Sequence, residues 1–568
     1  MRILRLEAVN FRTVEQIEVN FQNYYTSICG KNNSGKSNLL RVIRNIFIDS
    51  EFAIFFGPGM RFAREIDIEK DFTNWKSKEK SEISICVEIE INSKFDSGLY
   101  KFIEEFILKN ESSDKDENAC LKISISWKYP ERKNNVEIVY KGEKIEDSYQ
   151  KDEIIRKIKS INCMIFHNST SHGGFTYASS GRFDSIYEFL SDEDKAEISK
   201  KKDDLFKQMK SRLKKQQKEF ATLLGRLEDK YEVSLSFAEP SFERSSINIS
   251  LKEKGIDVDL DDWGSGTKNR TLIFLKLLNA KKLKETEQNS EKITPFIIIE
   301  EPESFLHPSA QAEFGRVMQD IAEELKVQVI VTTHSVYMLN HKKPDSNILL
   351  DRTVEMSKLK GTYVVNTEGD KWYEPFALTL GINGNDFGPL KNTIFSQKDE
   401  IILVEGETDK KYFELLLDNK HGVNQLQFNG EIFAYGGADQ LKNNVLLRFI
   451  KGRFSKFLIT IDIDRLNDIK RSLESVNFVE NIDFIGIGKN DPSKQNIEGL
   501  LPSKILSKVY SNYPDLVQLA TSNSSDRKSA QSKLKNELFE EFNRSKEYSE
   551  DYFGEFYKVV KKINKKFK

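Results

Sequence analysis

No disulfide framework or zinc site can be drawn from this sequence. Its 4 cysteines, Cys29, Cys86, Cys120 and Cys163, are scattered without metal-ligand spacing, the pattern of reduced thiols in a cytoplasmic protein. There is no signal-peptide pattern and no run of the roughly 18 apolar residues a membrane span needs, so no membrane partner is expected. Charge of one sign is also missing. Lys and Arg number 87 against 89 Asp and Glu, a net charge of −2, so no overall basic field marks a nucleic-acid binder and any such surface must be local. At 568 residues the chain has length for two or three domains with ample core.

What is present begins with "GKNNSGKS", Gly30 to Ser37, which fits G-x-x-x-x-G-K-[ST] at every defined position. It follows "YYTSIC" and precedes "NLLRVIRNIF", the strand, loop and helix context that a phosphate loop requires. Gly30 and Gly35, with Asn33 between them, let the backbone turn its N–H groups toward an anion at a helix N-terminus. Lys36 then reaches the β- and γ-phosphates of ATP and Ser37 ligates Mg²⁺.

Strand-like alternation fills much of the N-terminal part. "RILRLEAVNFRTVEQIEVNF" reads as two strands with a break at Asn10 to Thr13, and "ISICVEIEI", "LKISISWKY" and "VEIVY" follow, giving one lobe of an α+β nucleotide-binding domain. From Ser185 to Asp229 the period becomes helical, with Ile198, Leu205, Met209, Leu213, Phe220, Leu224 and Leu227 at steps of 3, 4 or 7. Two readings stand for this insertion: an amphipathic helix packed on its own domain, or half of a dimer-forming helix pair.

"DDWGSGTKNRTLIFLKLLNA" then places Ser265 and Gly266 at a helix N-terminus, a second anion site. "IIIEEPESFLHP" drives an apolar strand into Glu300 and Glu301, and "VTTHS" ends another strand in His334. Two acids in tandem after a phosphate loop suggest one for a divalent metal and one for a water. Together with the opening "NFR", this set resembles an ABC-type ATPase of DNA repair and chromosome structure. In those ATPases the signature turn of one subunit completes the ATP site of another. The resemblance implies that Glu300 holds Mg²⁺, that Glu301 is the general base, that His334 senses the γ-phosphate and that the chain forms a homodimer or higher homo-oligomer. It departs from the family pattern in having Glu300 for the usual Asp, "GSGTK" for the signature turn, and no recognisable glutamine-bearing loop.

The last ~170 residues alternate strands with helices, the signature of a small parallel sheet. "DEIILVEGETDKKYF" ends a strand at Glu405 and puts Asp409 in the next helical turn. "FAYGGADQL" supplies a Gly436-Gly437 turn, and "SKFLITIDIDRLND" carries Asp462 and Asp464, two residues apart and so expected on one side of a strand. Carboxylates gathered at strand ends repel one another without a cation, and oxygen-only ligands select Mg²⁺ or Mn²⁺.

This block resembles the Toprim domain of topoisomerases, primases and some nucleases on Glu405, Asp409, Asp462 and Asp464, with Glu498 in "NIEGLLP" a weaker match. An ABC-type ATPase followed by a Toprim domain is the arrangement of the OLD-family nucleases, including the nuclease subunit of the Gabija phage-defence system. Those nucleases also use a late lysine, for which Lys528, Lys533 and Lys535 stay open. The final "KVVKKINKKFK" is either a solvated helix end or a contact for nucleic-acid phosphate.

The expected fold is therefore α/β: an ABC-type ATPase at 1–184 and 231–365 around a helical insertion at 185–230, a linker at 366–397, and a Toprim domain with a helical extension at 398–568. The expected function is ATP-regulated, metal-dependent cleavage of DNA, in phage defence or DNA processing, with a second defence-system protein as a further partner. Two other readings remain. One is an ATP-dependent sensor or scaffold whose Toprim domain acts on RNA such as tRNA, or only binds; the other is a RecF-like repair clamp without cleavage.

Overall fold

The computed structural model describes residues 1–48, 66–76, 81–108, 117–130, 134–161, 163–170, 192–227, 232–237, 247–253, 255–285, 292–369, 371–380, 393, 395–491, 494–522, 526–544 and 547–568. The chain divides into two compact units, one of 1–307 and 314–382 and the other of 308–313 and 383–568.

The first unit is built on a 12-stranded sheet. At one end lie the antiparallel strands Arg2–Phe11, Val14–Asn20, Glu82–Asn92, Asn118–Lys128, Asn134–Tyr140 and Glu143–Ile145. Their sequences alternate because one face packs inward and the other meets water; Glu82–Asn92 is buried at every second residue. The hairpin Asn347–Glu355 and Lys358–Val365 joins this half to a parallel half. There Tyr25–Cys29, Val329–Thr333, Phe296–Glu300 and Met164–Asn168 run side by side in that order. Tyr25–Cys29 and Val329–Thr333 are buried throughout, as strands covered on both faces must be, so they lack the inward–outward alternation of the antiparallel half. All four point their C-terminal ends the same way, so the phosphate loop, the tandem acids and His334 emerge from one edge.

Among its described residues, the helix Asp192–Leu224 packs on the domain through its last turns. Phe220, Leu224 and Leu227 join the core that contains Phe274, Phe314 and Ile299, and Gln217 Nε2 donates to Val233 O at 2.6 Å. Met209 is 40% exposed, so the described contacts of the insertion with its own domain lie toward its C-terminal end. Residues 185–191 and 228–230 of the expected insertion, and the side chains of Ile198 and Leu205, lie outside the described residues.

The second unit carries a four-stranded, all-parallel sheet in the order Glu431–Ala434, Glu400–Val404, Lys456–Asp462, Phe484–Ile487. The helices Arg527–Arg544 and Glu550–Phe567 are integral to this unit. Phe539, Phe542, Phe553, Phe556 and Tyr557 share one core with Ile402, Val404 and Ile485, and Tyr412 stacks on Phe556 with ring centroids 5.8 Å apart. The C-terminal segment expected as an extension is therefore part of the packing that positions the acids. Its last helix buries Val560, Ile563 and Phe567 and pairs Lys566 with Asp483 at 2.8 Å, while Lys561, Lys562 and Lys565 are exposed. No described helix is long and apolar enough to cross a membrane.

Candidate functional site

The first candidate site lies at the edge of the parallel half-sheet. Gly35, with φ of 105°, precedes the helix Lys36–Phe47, and a Cβ there would overlap Thr362 Oγ1. Only glycine fits both the conformation and the space. Asn33 adopts the left-handed conformation at φ 66°, which asparagine tolerates. Lys36 is buried, and its Nζ donates to Gly30 O at 2.8 Å and Lys31 O at 3.1 Å, folded onto its own loop. Burial holds its pKa below the ordinary lysine value, against the pull of Cys29, Glu301 and Glu303. Ser37 is exposed at the head of the helix.

Glu300 is the last residue of its strand. Burial raises its pKa, Arg44 opposes that, and Glu301 adds to it. Glu301 sits at φ 49°, a conformation of real cost for a non-glycine residue, and its N–H donates to Thr332 O at 2.9 Å. That turn brings Glu301 Oε1 to 3.6 Å from His334 Nε2. Lys36, Glu301 and His334 are thus gathered in one place, as their sequence positions suggested.

A residue that sequence reasoning missed joins them. Glu303 is buried, and its Oε1 accepts the His334 N–H at 2.7 Å. Burial pushes its pKa up to about 7, despite backbone hydrogen bonds from His334 and from its own N–H. A third acid within four residues of Glu300 was the available signal, but only tertiary structure separates a buried acid from a solvated one. At the neighbouring strand end, Asn168 stands level with Glu300 in register, and Ser169 N donates to Glu300 O at 3.2 Å. Ser265 opens the helix Ser265–Glu285 and is exposed, while Gly266 packs tightly on Phe305 and Leu306.

The second candidate site belongs to the other unit and again occupies the C-terminal edge of a parallel sheet, where the strand ends leave a crevice. Glu405 follows the central strand, and Gly436 N and Gly437 N both donate to its carbonyl, at 3.1 and 3.2 Å. Asp409 is buried one helical turn on, with its Oδ2 accepting the Gly406 N–H at 2.9 Å. Asp462 ends the adjoining strand, and Glu498 is buried in the 3₁₀ turn Ile497–Leu500.

These acids raise one another's pKa values. Burial first and then Glu498 lift Asp409 to about 7. Burial first and then Asp409 and Glu405 lift Asp462 to about 9. Burial also raises Glu405, opposed by Lys535.

Asp464 departs from expectation. The strand stops at Asp462 and the helix Ile463–Ser475 begins at once, so the two-residue repeat of a strand does not relate the two acids. Asp464 lies exposed in the first helical turn, where it still acts on the charge of Glu405.

Of the three lysines, one lies beside these acids. Lys528 and Lys533 are exposed, whereas Lys535 is half-buried with its Nζ 3.3 Å from Glu498 Oε1. Burial works against its charge, but Glu498, Asp409 and Asp462 outweigh it and raise its pKa.

The donor set suits a hard divalent cation in kind: every candidate ligand is a carboxylate oxygen, and Glu405 Oε2 and Glu498 Oε2 are buried without a hydrogen-bond partner. Among the described residues, no three such groups form a cluster that could hold a metal ion, and Lys535 and Arg465 oppose the raised pKa of Glu405.

The family model of the AAA ATPase domain matches residues 1–339. Endonuclease GajA of Bacillus cereus (strain HuB5-5) is 24% identical over 517 residues, covering 81% of this chain and 74% of the relative. The OLD nuclease of Thermus scotoductus (strain ATCC 700910 / SA-01) is 24% identical over 345 residues, covering 58% of each chain. Among solved structures, an SMC head bound to the C-winged helix domain of ScpA aligns with a TM-score of 0.40 at 16% identity, over 64% of this chain and 98% of that one.

Proposed function

The chain belongs to the AAA ATPase domain family and is a relative of the OLD-family nucleases, and from that premise we propose an ATP-regulated, divalent-cation-dependent nuclease that cleaves DNA. The observation that carries the reading is the junction of Glu405, Asp409, Asp462 and Glu498 with Lys535 at one edge of a parallel sheet. Residues 1–184 and 231–365 form the ATPase around the insertion 185–230, and 398–568 form a Toprim-type nuclease domain. The setting is cytoplasmic, in phage defence or DNA processing, and a second defence-system protein is a further proposed partner.

In the ATPase, Lys36 would leave the loop carbonyls to meet the β- and γ-phosphates, and Ser37 with Glu300 would hold Mg²⁺. Glu301 accepts the proton of the attacking water as general base, and His334, held by Glu303 through its backbone, faces the γ-phosphate. Ser265 and Gly266 serve the nucleotide of a neighbouring subunit, so the active species is a homodimer or larger.

In the nuclease domain, Glu405, Asp409, Asp462 and Glu498, with Asp464 at the rim, would hold Mg²⁺ or Mn²⁺. A cation there supplies Lewis acidity to a water and offsets charge at the phosphate. Lys535 contributes a fixed positive charge beside that position, and the carboxylates orient water through their free oxygens.

The second reading is an ATP-dependent sensor or scaffold whose second domain binds nucleic acid, or acts on RNA such as tRNA. Incubating the purified protein with plasmid DNA and with tRNA, with Mg²⁺ or Mn²⁺, with or without ATP, and with a chelator as control, separates the two. DNA cutting that the chelator stops supports the nuclease. Binding without cutting, or cutting of tRNA alone, supports the second reading.

A further inference from the structure

Asn269, in the second turn of the helix that Ser265 opens, is 5% exposed. Its Nδ2 donates to Pro302 O at 3.2 Å, which fixes the amide so that Oδ1 faces His167 Nε2 at 2.7 Å. Burial pushes the His167 pKa down to about 4, so the ring is neutral and donates its Nε2 proton to Asn269. His167 pairs in register with Ile299 on the tandem-acid strand, and Pro302 directly follows Glu301. A second contact runs the same way: a Cβ on Gly266 would come within 2.7 Å of Phe305 O, so the helix start lies against the backbone that follows the acids. One side chain therefore spans three segments, and an amide is needed because it offers a donor and an acceptor at once.

We propose that Asn269 is a positioning residue that couples nucleotide sites: it ties the Ser265–Gly266 turn, offered to a neighbouring subunit, to the Glu300–Pro302 turn that serves the subunit's own nucleotide. The proposal rests on the reading of Ser265 and Gly266 as acting on the neighbour's ATP. When the Glu301 turn adjusts to its nucleotide, the shift passes through Pro302 O to Asn269 and through Phe305 to Gly266. The signature turn then moves with the state of its own subunit's site. Asn269 acts through these backbones, so its loss should disturb turnover without disturbing the phosphate loop's grip on ATP.

The test compares Asn269→Asp, which keeps an acceptor for His167 but cannot donate to Pro302 O, with His167→Phe, which removes the opposite link. Steady-state ATP turnover, affinity for a non-hydrolysable ATP analogue, and thermal midpoint are measured for each, with Ser265→Arg as a block of the signature turn. The expected result for Asn269→Asp is kcat lowered about 10-fold, within the usual range of inter-site coupling, with KM and analogue affinity changed less than about twofold. His167→Phe should lower kcat in the same direction and by less. A merely structural asparagine would instead lower the thermal midpoint and weaken analogue binding along with kcat. If Ser265→Arg abolishes turnover while both Asn269→Asp and His167→Phe turn over at the parent rate, the coupling is overturned and the in-trans reading stands. If Ser265→Arg turns over at the parent rate, the in-trans reading fails and the coupling falls with it.

Discussion

Lys535 Nζ lies 3.3 Å from Glu498 Oε1, although 37 positions and several turns of chain separate them. The helix that carries Lys535 is held in place by Phe539 and Phe542, whose ring centroids lie 5.1 and 5.9 Å from that of Tyr412 in the core that also contains Ile402 and Val404. The aromatic packing of the C-terminal helices thus sets a cation among four acids. Lys535→Ala should lower metal-dependent cleavage by on the order of 10²-fold, the scale of losing one preorganised charge beside a reacting phosphate. Lys528→Ala and Lys533→Ala, at exposed positions, should cut within about threefold of the parent. Gel-based cleavage rates decide this, and equal losses from all three would remove Lys535 from the site.

In the ATPase, Glu301→Gln should retain ATP binding and slow hydrolysis by roughly 10²-fold or more, the cost of a lost proton-transfer group. Glu300→Gln should instead weaken Mg²⁺-dependent nucleotide binding. Equilibrium binding of a fluorescent ATP analogue, set beside phosphate release, separates the two effects; mild and equal losses would count against the division of roles.

The raised pKa of the buried Glu303 predicts a pH dependence of stability with a definite sign. Its folded pKa, raised to about 7 from 4.5 by burial, means that the folded state holds the proton more tightly than the unfolded chain. The stability it contributes is complete below 4.5 and is lost as pH rises through about 7, at about 1.4 kcal/mol per unit at most. Glu303→Gln keeps an acceptor for the His334 N–H but carries no charge. Its thermal midpoint should match the parent at pH 5 and exceed it at pH 8; a constant difference across that range would be the contrary result.

Gly35→Ala should destabilise the protein by about 1–3 kcal/mol and impair nucleotide binding, because a Cβ meets Thr362 at a φ of 105°. Chemical denaturation and analogue binding report both losses. An alanine variant as stable as the parent would show that the loop relaxes freely.

Local pattern revealed what local physics controls. The break expected at Asn10 to Thr13 covers the turn at Arg12 and Thr13 between the observed strands Arg2–Phe11 and Val14–Asn20 and overlaps the first strand by two residues, because alternation and turn residues are readable within a few positions. The strand end at Glu300, and the position of His334 directly after the strand Val329–Thr333, were readable for the same reason. What long-range packing decides was not. Nothing local says that Lys358–Val365 bridges the antiparallel and parallel halves, or that Asn269 faces both His167 and Pro302. Asp464 was placed on a strand because the apolar run continues to Ile463, whereas the helix takes over at that residue. The insertion's stripe was visible, but which part of it finds a partner depended on the sheet beneath Phe220 and Leu224.

The central claim is that two chemistries occupy separate units of one chain. Asp462→Ala and Lys36→Ala, each assayed for ATP turnover and for nucleic-acid cleavage with Mg²⁺ or Mn²⁺, test it most directly. Asp462→Ala should abolish cleavage while ATP turnover persists, since losing a cation ligand removes the Lewis acid and leaves the phosphate loop intact. Lys36→Ala should abolish turnover and leave residual cleavage, since the second acid cluster is untouched and only its control is lost. An Asp462→Ala protein that still cuts at the parent rate, with contaminating nucleases excluded, would contradict the account.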